Sequence, residues 1–225
     1  MPSSNELPAR SREVLIETDR VALEGALELP DAASGLVIFA HGNGSSRHSP
    51  RNQRVAHVLR DAGLGTLLFD LLTGEEERHH QATAALRFDI PLLARRLLGV
   101  VDWSRSDADS RGLPAGLFGA STGAAAALAV AADRPQIVRA VVSRGGRPDL
   151  AGHSLAGVRA PTLLIVGGLD HTVLALNVET VRTLHGIAEL AVVPNASHLF
   201  EEPGALDRVS ALARDWFQHH LAREA

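Results

Sequence analysis

Leu36–Ala40 is a run of five apolar residues with no polar interruption. A short unbroken run of this kind reads as a strand buried on both faces, which requires a sheet covered by helices on each side. Further strand-like segments, largely apolar, lie at Thr66–Phe69, Ala115–Phe118, Ala140–Ser143, Thr162–Val166 and Leu190–Val193. Helix-like blocks lie between the runs: Arg51–Asp61 ended by Gly63, a block from Asp89 to about Ser104, Ser121–Ala132, Leu176–Leu184 and Pro203–Leu221. Asp89 is a good N-cap with Pro91 tolerated in the first turn. In the last block Pro203 falls near the first helical position, and Leu206, Val209, Leu212, Ala213, Trp216 and Phe217 share one face. Upstream, Glu13–Thr18 and Val21–Leu29 alternate and meet at Thr18-Asp19-Arg20, a plausible tight turn. Two strands followed by six that alternate with helices predict an α/β fold: a mostly parallel eight-stranded sheet with helices on both faces.

At 225 residues the chain can bury a full core, and a single domain over 11–225 after a flexible tail at 1–10 is expected. No repeat or linker divides it. Thr73–Ala85 is the most polar segment and reads as a solvated surface loop. The formal net charge of -4 offers no basic field, so no nucleic-acid partner is expected. Cys, Lys and Tyr are all absent. The first absence removes disulfides and thiolate chemistry, and the second removes Schiff bases and the Walker-type phosphate loop. The N-terminal residues lack the apolar run of a signal peptide, and no stretch reaches the roughly 18 to 20 apolar residues of a membrane span. A cytoplasmic protein with no membrane partner is therefore expected.

Gly119-Ala120-Ser121-Thr122-Gly123 follows one apolar run directly and precedes a helix. This is G-x-S-x-G in its strand–turn–helix setting, where a sharp turn presents the serine hydroxyl above the sheet edge. A Gly-rich turn can be only a turn, and an NADP-binding reading of Gly116–Ser121 with Arg144 competes. That reading lacks the full glycine pattern and the Tyr and Lys its reductases need. A serine nucleophile needs a base, and the base an orienting acid, in the chain order Ser, acid, His. Asp170 stands just past the run ending at Val166, and His198 just past the run ending at Val193. Taken singly, Asp170 could be a helix N-cap and His198 a loop histidine; together they predict Ser121, Asp170 and His198 as catalytic residues. Gly42 and Gly44 would let the Asn43 amide join that of Thr122 in an oxyanion hole. His41 reads as an anchor of that loop. The adjacent pairs His79-His80 and His219-His220 lack ligand spacing, so no metal and no cofactor are expected. Arg144 and Arg147, around Gly145-Gly146, read as a surface loop salt-bridged to Asp149, the other option being an anion-recognising rim near the site. Trp103 and Trp216 read as packing.

The His41-Gly42-Asn43-Gly44 loop, the Ser121 turn, the late Asp170 and the final His198 span nearly the whole chain and resemble the α/β-hydrolase superfamily. The compact form without a cap domain is similar to the dienelactone hydrolase family. Ser45-Ser46-Arg47-His48-Ser49-Pro50-Arg51-Asn52, Asp70-Leu71-Leu72-Thr73 and Ser143-Arg144-Gly145-Gly146-Arg147-Pro148-Asp149 resemble a bacterial branch in which such a domain can occur fused to a phosphoribosyltransferase. No such second domain is expected within this sequence. The resemblance implies hydrolysis; because dienelactone hydrolases carry Cys where this chain has Ser121, it does not imply a dienelactone substrate. The expectation is a carboxylesterase-like serine hydrolase for small-molecule esters, with lactone, amide or thioester hydrolysis, or a non-enzymatic binding protein, left open. A homodimer is also left open. The absence of a long insertion after Ser143 predicts an open site and short acyl groups.

Overall fold

A computed structural model describes residues 10–42, 44–83 and 85–222. Within these residues eight strands form one sheet: β1 Arg10–Thr18, β2 Val21–Leu29, β3 Leu36–Ala40, β4 Gly65–Phe69, β5 Ala115–Ala120, β6 Val138–Arg144, β7 Thr162–Gly167 and β8 Ala188–Val193. Their order is β1-β2-β4-β3-β5-β6-β7-β8. The β1–β2 and β2–β4 pairs are antiparallel, and every pair from β4–β3 onward is parallel. The helices are α1 Pro50–Asp61, α2 Gly74–Thr83, α3 Ile90–Ser104, α4 Thr122–Asp133, α5 His171–Thr183 and α6 Ala205–Leu221. No cap domain interrupts this α/β-hydrolase arrangement: β6 and β7 are joined by a short 3-10 stretch, Pro148–Gly157, kinked at Gly152.

Two apolar layers sandwich the sheet. Leu93, Leu97 and Val100 of α3 and Ala125–Leu128 of α4 pack on one face with Ile16, Leu23, Ile38 and Leu117. Val55 and Leu59 of α1 and Val209, Ala213, Trp216 and Phe217 of α6 pack on the other with Val37, Phe39, Phe118 and Ile165. The β1–β2 hairpin turns through Asp19 and Arg20, both at positive φ (46° and 64°), the geometry of a two-residue turn that matches strand twist. Asp89 caps α3 by accepting from the Leu92 amide at 2.9 Å.

Several boundaries differ from the sequence reading. Of the tail expected at 1–10, residues 1–9 lie outside the described residues, and Arg10 begins β1. Helix α6 starts at Ala205, not Pro203, because Gly204 at φ 78° breaks the approach. Helix α5 starts at His171, five residues before the expected Leu176. The segment expected as a solvated loop forms α2 over most of its length. Thr73 and Glu76 exchange bonds, the Thr73 amide donating to Glu76 Oε2 at 2.8 Å and the Glu76 amide to Thr73 Oγ1 at 3.2 Å. That reciprocal box, with Glu75–Glu77 in the first turn, starts a helix that has no apolar stripe to announce it.

Arg96 of α3 fastens α2 to the body. Its Nη1 donates to the Leu71 carbonyl at 2.9 Å and to Glu76 Oε2 at 2.6 Å. The guanidinium holds the Glu76 carboxyl below the usual carboxylate range, outweighing burial. A depressed carboxyl stabilises the fold above its unfolded value and loses that contribution as pH falls through the folded one. Glu76→Gln should therefore cost about 2 kcal/mol in urea denaturation near pH 7. The gap should begin to narrow as pH falls below the unfolded value of about 4.3 and close only below the lowered folded value, where the native carboxyl is protonated too. A gap that stays constant into acid would rule out the charge as its source.

Candidate active site

All the sequence-selected residues that the structure describes lie at the C-terminal edge of the parallel strands, where open α/β sheets form their crevices. Between β5 and α4, Ser121 adopts φ 51°, ψ -120°, a conformation that costs a non-glycine residue about 1–3 kcal/mol. Its amide donates to the Arg144 carbonyl at 3.2 Å, and its carbonyl accepts from Ala124 and Arg147, each at 3.1 Å. The flanking glycines are sterically required. A Cβ on Gly119 would lie 2.4 Å from Ala124 Cα, and one on Gly123 2.2 Å from the Ala40 carbonyl oxygen. Thr122, 2% exposed, opens α4.

Asp170 follows β7 and occupies the N-cap position of α5, but its side chain makes no capping bond. Instead its Oδ2 stands 2.6 Å from His198 Nδ1, with the Asp170 side chain 15% and His198 40% exposed. A carboxylate here fixes Nδ1 as the protonated nitrogen and leaves Nε2 free to accept. The His198 loop is held from two sides. The Leu169 amide donates to the Ala196 carbonyl at 2.9 Å, and Glu202 Oε1 accepts from the Ser197 amide at 3.0 Å. The ring rests against Gly145, where a Cβ would lie 3.4 Å from His198 Cε1. Gly145 follows Arg144, the residue bonded to the Ser121 amide, so the β6 end joins the two.

Asn43 lies outside the described residues. Around it, a Cβ on Gly42 would come within 2.9 Å of both Ser121 Cβ and the Ala120 carbonyl oxygen, and Gly44 is at φ 66°. His41 is buried and anchors this loop: Nε2 accepts the Leu71 amide at 3.0 Å and Nδ1 lies 3.0 Å from the Gly42 carbonyl. Burial pushes its imidazole below the ordinary histidine range, which suits an accepting Nε2. Arg47, from the same loop, pairs with Asp70 and, at 2.6 Å, with Glu24. Beside Thr122 a slot of only about 10 Å³ is walled by His41, Gly42, Gly44, Leu71, Leu72 and Leu93. Next to it a more polar cavity of about 230 Å³ reaches Glu24, Arg47, Asp70 and Thr73.

The loop expected to carry two exposed arginines is split. Arg147 does pair with Asp149 through two bonds, at 2.8 and 2.7 Å. Arg144 does not join them and is not on the surface: it is 9% exposed, and Gly145 and Gly146 are buried with it. It closes a central strand, so its side chain is enclosed by the neighbouring layer. Glu202 carries no motif that would have marked it in advance, and nothing in the sequence around Arg144 announces its burial.

A model of the dienelactone hydrolase family matches residues 23–221. The chain belongs to the dienelactone hydrolase family. A solved dienelactone hydrolase from Anabaena variabilis is 54% identical, covers 96% of this chain and 99% of its own, and superposes with a TM-score of 0.93. Two Mycobacterium tuberculosis proteins provisionally named phosphoribosyl transferases are 57% identical over 214 residues, 95% of this chain. The match covers 47% of their length, so this dienelactone hydrolase relative spans about half of them. Est1E from Butyrivibrio proteoclasticus, 16% identical with a TM-score of 0.78 over 94% of this chain and 99% of its own, shares the fold. Among the described residues no helix is long and apolar enough to cross a membrane.

The turn at Ser121 gives a direct test. Gly123→Ala should lower stability by about 3 kcal/mol or more, because the clash is with backbone that cannot rotate away. Gly112→Ala, where a Cβ meets nothing within 4 Å, should be near neutral. Comparable melting temperatures for the two variants would contradict this packing.

Proposed function

We propose that this chain is a serine esterase that cleaves small carboxylic esters through an acyl-enzyme. The observation that carries the reading is Asp170: at a helix N-cap, its carboxylate forgoes the cap and binds His198 Nδ1 at 2.6 Å. A carboxylate engaged in that way orients an imidazole for proton transfer. The family's hydrolase character and the strained Ser121 turn support the same reading.

Ser121 attacks the ester carbonyl as His198 Nε2 takes its proton. The proton then passes to the leaving alcohol, and water activated by the same imidazole releases the acid. Asp170 stabilises the transient imidazolium. The Thr122 amide at the start of α4 donates to the tetrahedral oxyanion, and Asn43 is the expected second donor; one such donor is typically worth about 3–4 kcal/mol. The other nearby acids are engaged elsewhere, Asp149 with Arg147 and Glu201 with Arg51.

The small slot beside Thr122 and the absence of a cap favour short acyl groups, since a methylene gains about 0.8 kcal/mol only where walls exclude water. Ser121→Ala should abolish ester hydrolysis with the fold intact, and Asp170→Asn should slow turnover by about 10⁴-fold. Near-normal turnover in Asp170→Asn, with loss in Asp149→Asn or Glu201→Gln, would assign the acid elsewhere. Across p-nitrophenyl esters from acetate to palmitate, kcat/KM should level off or fall after butyrate. A rise beyond octanoate would require an enclosing acyl pocket. An amide and a lactone in the same panel define the bond cleaved.

A further inference from the structure

The edge of the sheet opposite Ser121 carries a cleft of its own. It lies at the N-terminal ends of the parallel strands, where Pro114 leads into β5, Ile137 into β6 and Pro161 into β7. Its volume is about 890 Å³, against about 230 Å³ for the polar cavity that reaches Glu24, and it falls in the range of small-molecule sites. Cationic and protonatable side chains line it from three elements: Arg105 at the C-cap of α3, Arg139 in β6, and His219 and His220 in the last turn of α6. Among the described residues that line it there is no carboxylate.

The arginines of adjoining segments are paired: Arg134 with Asp102 and Asp133, and Arg214 with Asp215. Among the described residues Arg105 and Arg139 have no such partner, in a chain whose formal net charge is -4. A helix C-terminus favours a cation at the ends of α3 and α6. It does not account for Arg139, which comes from a strand, or for the exclusion of carboxylates. The histidines are held in place. Trp216 Nε1 donates to the Pro161 carbonyl at 3.4 Å, and the rings of Trp216, His220 and His219 follow one another at 4.4 and 4.6 Å. Burial, and then the His219 charge, pushes the His220 imidazole below the ordinary histidine range, against the opposing pull of Glu189. Like charges gathered in a cleft repel one another and focus a positive field into it, and an entering anion gains from both effects.

We infer that this cleft is a second ligand site, which takes a phosphate or diphosphate group borne by a small metabolite. Guanidinium and imidazole donors spread over separate elements match the several oxygens and multiple charges of a phosphate, where a single carboxylate would engage only part of them. The volume leaves room for the rest of the molecule, and Pro114, Ile137 and Pro161 offer it an apolar floor. The six residues of β5 put about 20 Å between the cleft and the Ser121 turn. The inference therefore stands whether or not the chain is an esterase.

Calorimetric titration of the full chain with sodium pyrophosphate, in a buffer free of phosphate, tests the site. Saturable binding with a Kd below about 1 mM is expected. Arg105→Met and Arg139→Met, both at exposed positions, should each weaken it about tenfold, the size of one lost charge-assisted bond, with melting temperatures unchanged. Arg208→Met removes the same charge from an exposed position in the first turn of α6. It lies about 17 Å along the helix from the cleft and should leave the affinity within about twofold. Vesicles containing phosphatidic acid distinguish a lipid headgroup from a free metabolite: binding to them without binding of pyrophosphate would overturn the metabolite ligand. No saturable heat with pyrophosphate, or equal weakening by Arg208→Met and the two cleft variants, would overturn the site.

Discussion

At the end of β5 the chain must pass from strand to helix within two residues while β3 and β6 lie hydrogen-bonded on either side. Room for that reversal exists only because Gly119 and Gly123 have no side chains, since a Cβ at either would penetrate backbone of α4 or β3. Ala124–Ala127, all fully buried, then let α4 lie close against the sheet. Ser121 is left at positive φ, and its strain is borne by backbone bonds to Arg144, Ala124 and Arg147. Those bonds tie the position of one hydroxyl to the register of β5 against β6. The rest of the site is arranged around that fixed point.

Each loop at this edge has its own polar brace. His41 takes the Leu71 amide, Arg47 bridges to Asp70 and Glu24, Glu202 takes the Ser197 amide, and Asp170 takes His198. Charged or ring groups that satisfy loop amides hold such segments to a single geometry without needing an apolar core beneath them. Arg144 differs from these braces: among the described residues no carboxylate pairs with it, and its guanidinium lies over the Phe118 ring.

The sheet could be read from the sequence because buried parallel strands are written as short apolar runs, and the order of runs and helical blocks leaves few topologies. The setting of Ser121, Asp170 and His198 at strand ends was readable for the same reason. What could not be read came from contacts distant in sequence. Thr73 and Glu76 carry a capping box, but α2 shows no apolar stripe, and the Arg96 that secures it belongs to the next long helix. Arg144 resembles a loop residue in sequence; only the pairing of β6 with β5 on one side and β7 on the other places it in the middle of the sheet. Nothing near Glu202 signals that its carboxylate reaches back to the Ser197 amide, and Gly204 decides the start of α6 against the stronger local cue of Pro203.

The central claim, that the turn after β5 presents an activated serine to an imidazole oriented by Asp170, is tested most directly by covalent labelling with a fluorophosphonate and peptide mass spectrometry. The account predicts one phosphonyl adduct on Ser121, formed rapidly in wild type and strongly slowed in His198→Gln. Failure to label the folded protein, or an adduct on another serine with Ser121 unmodified, would contradict it.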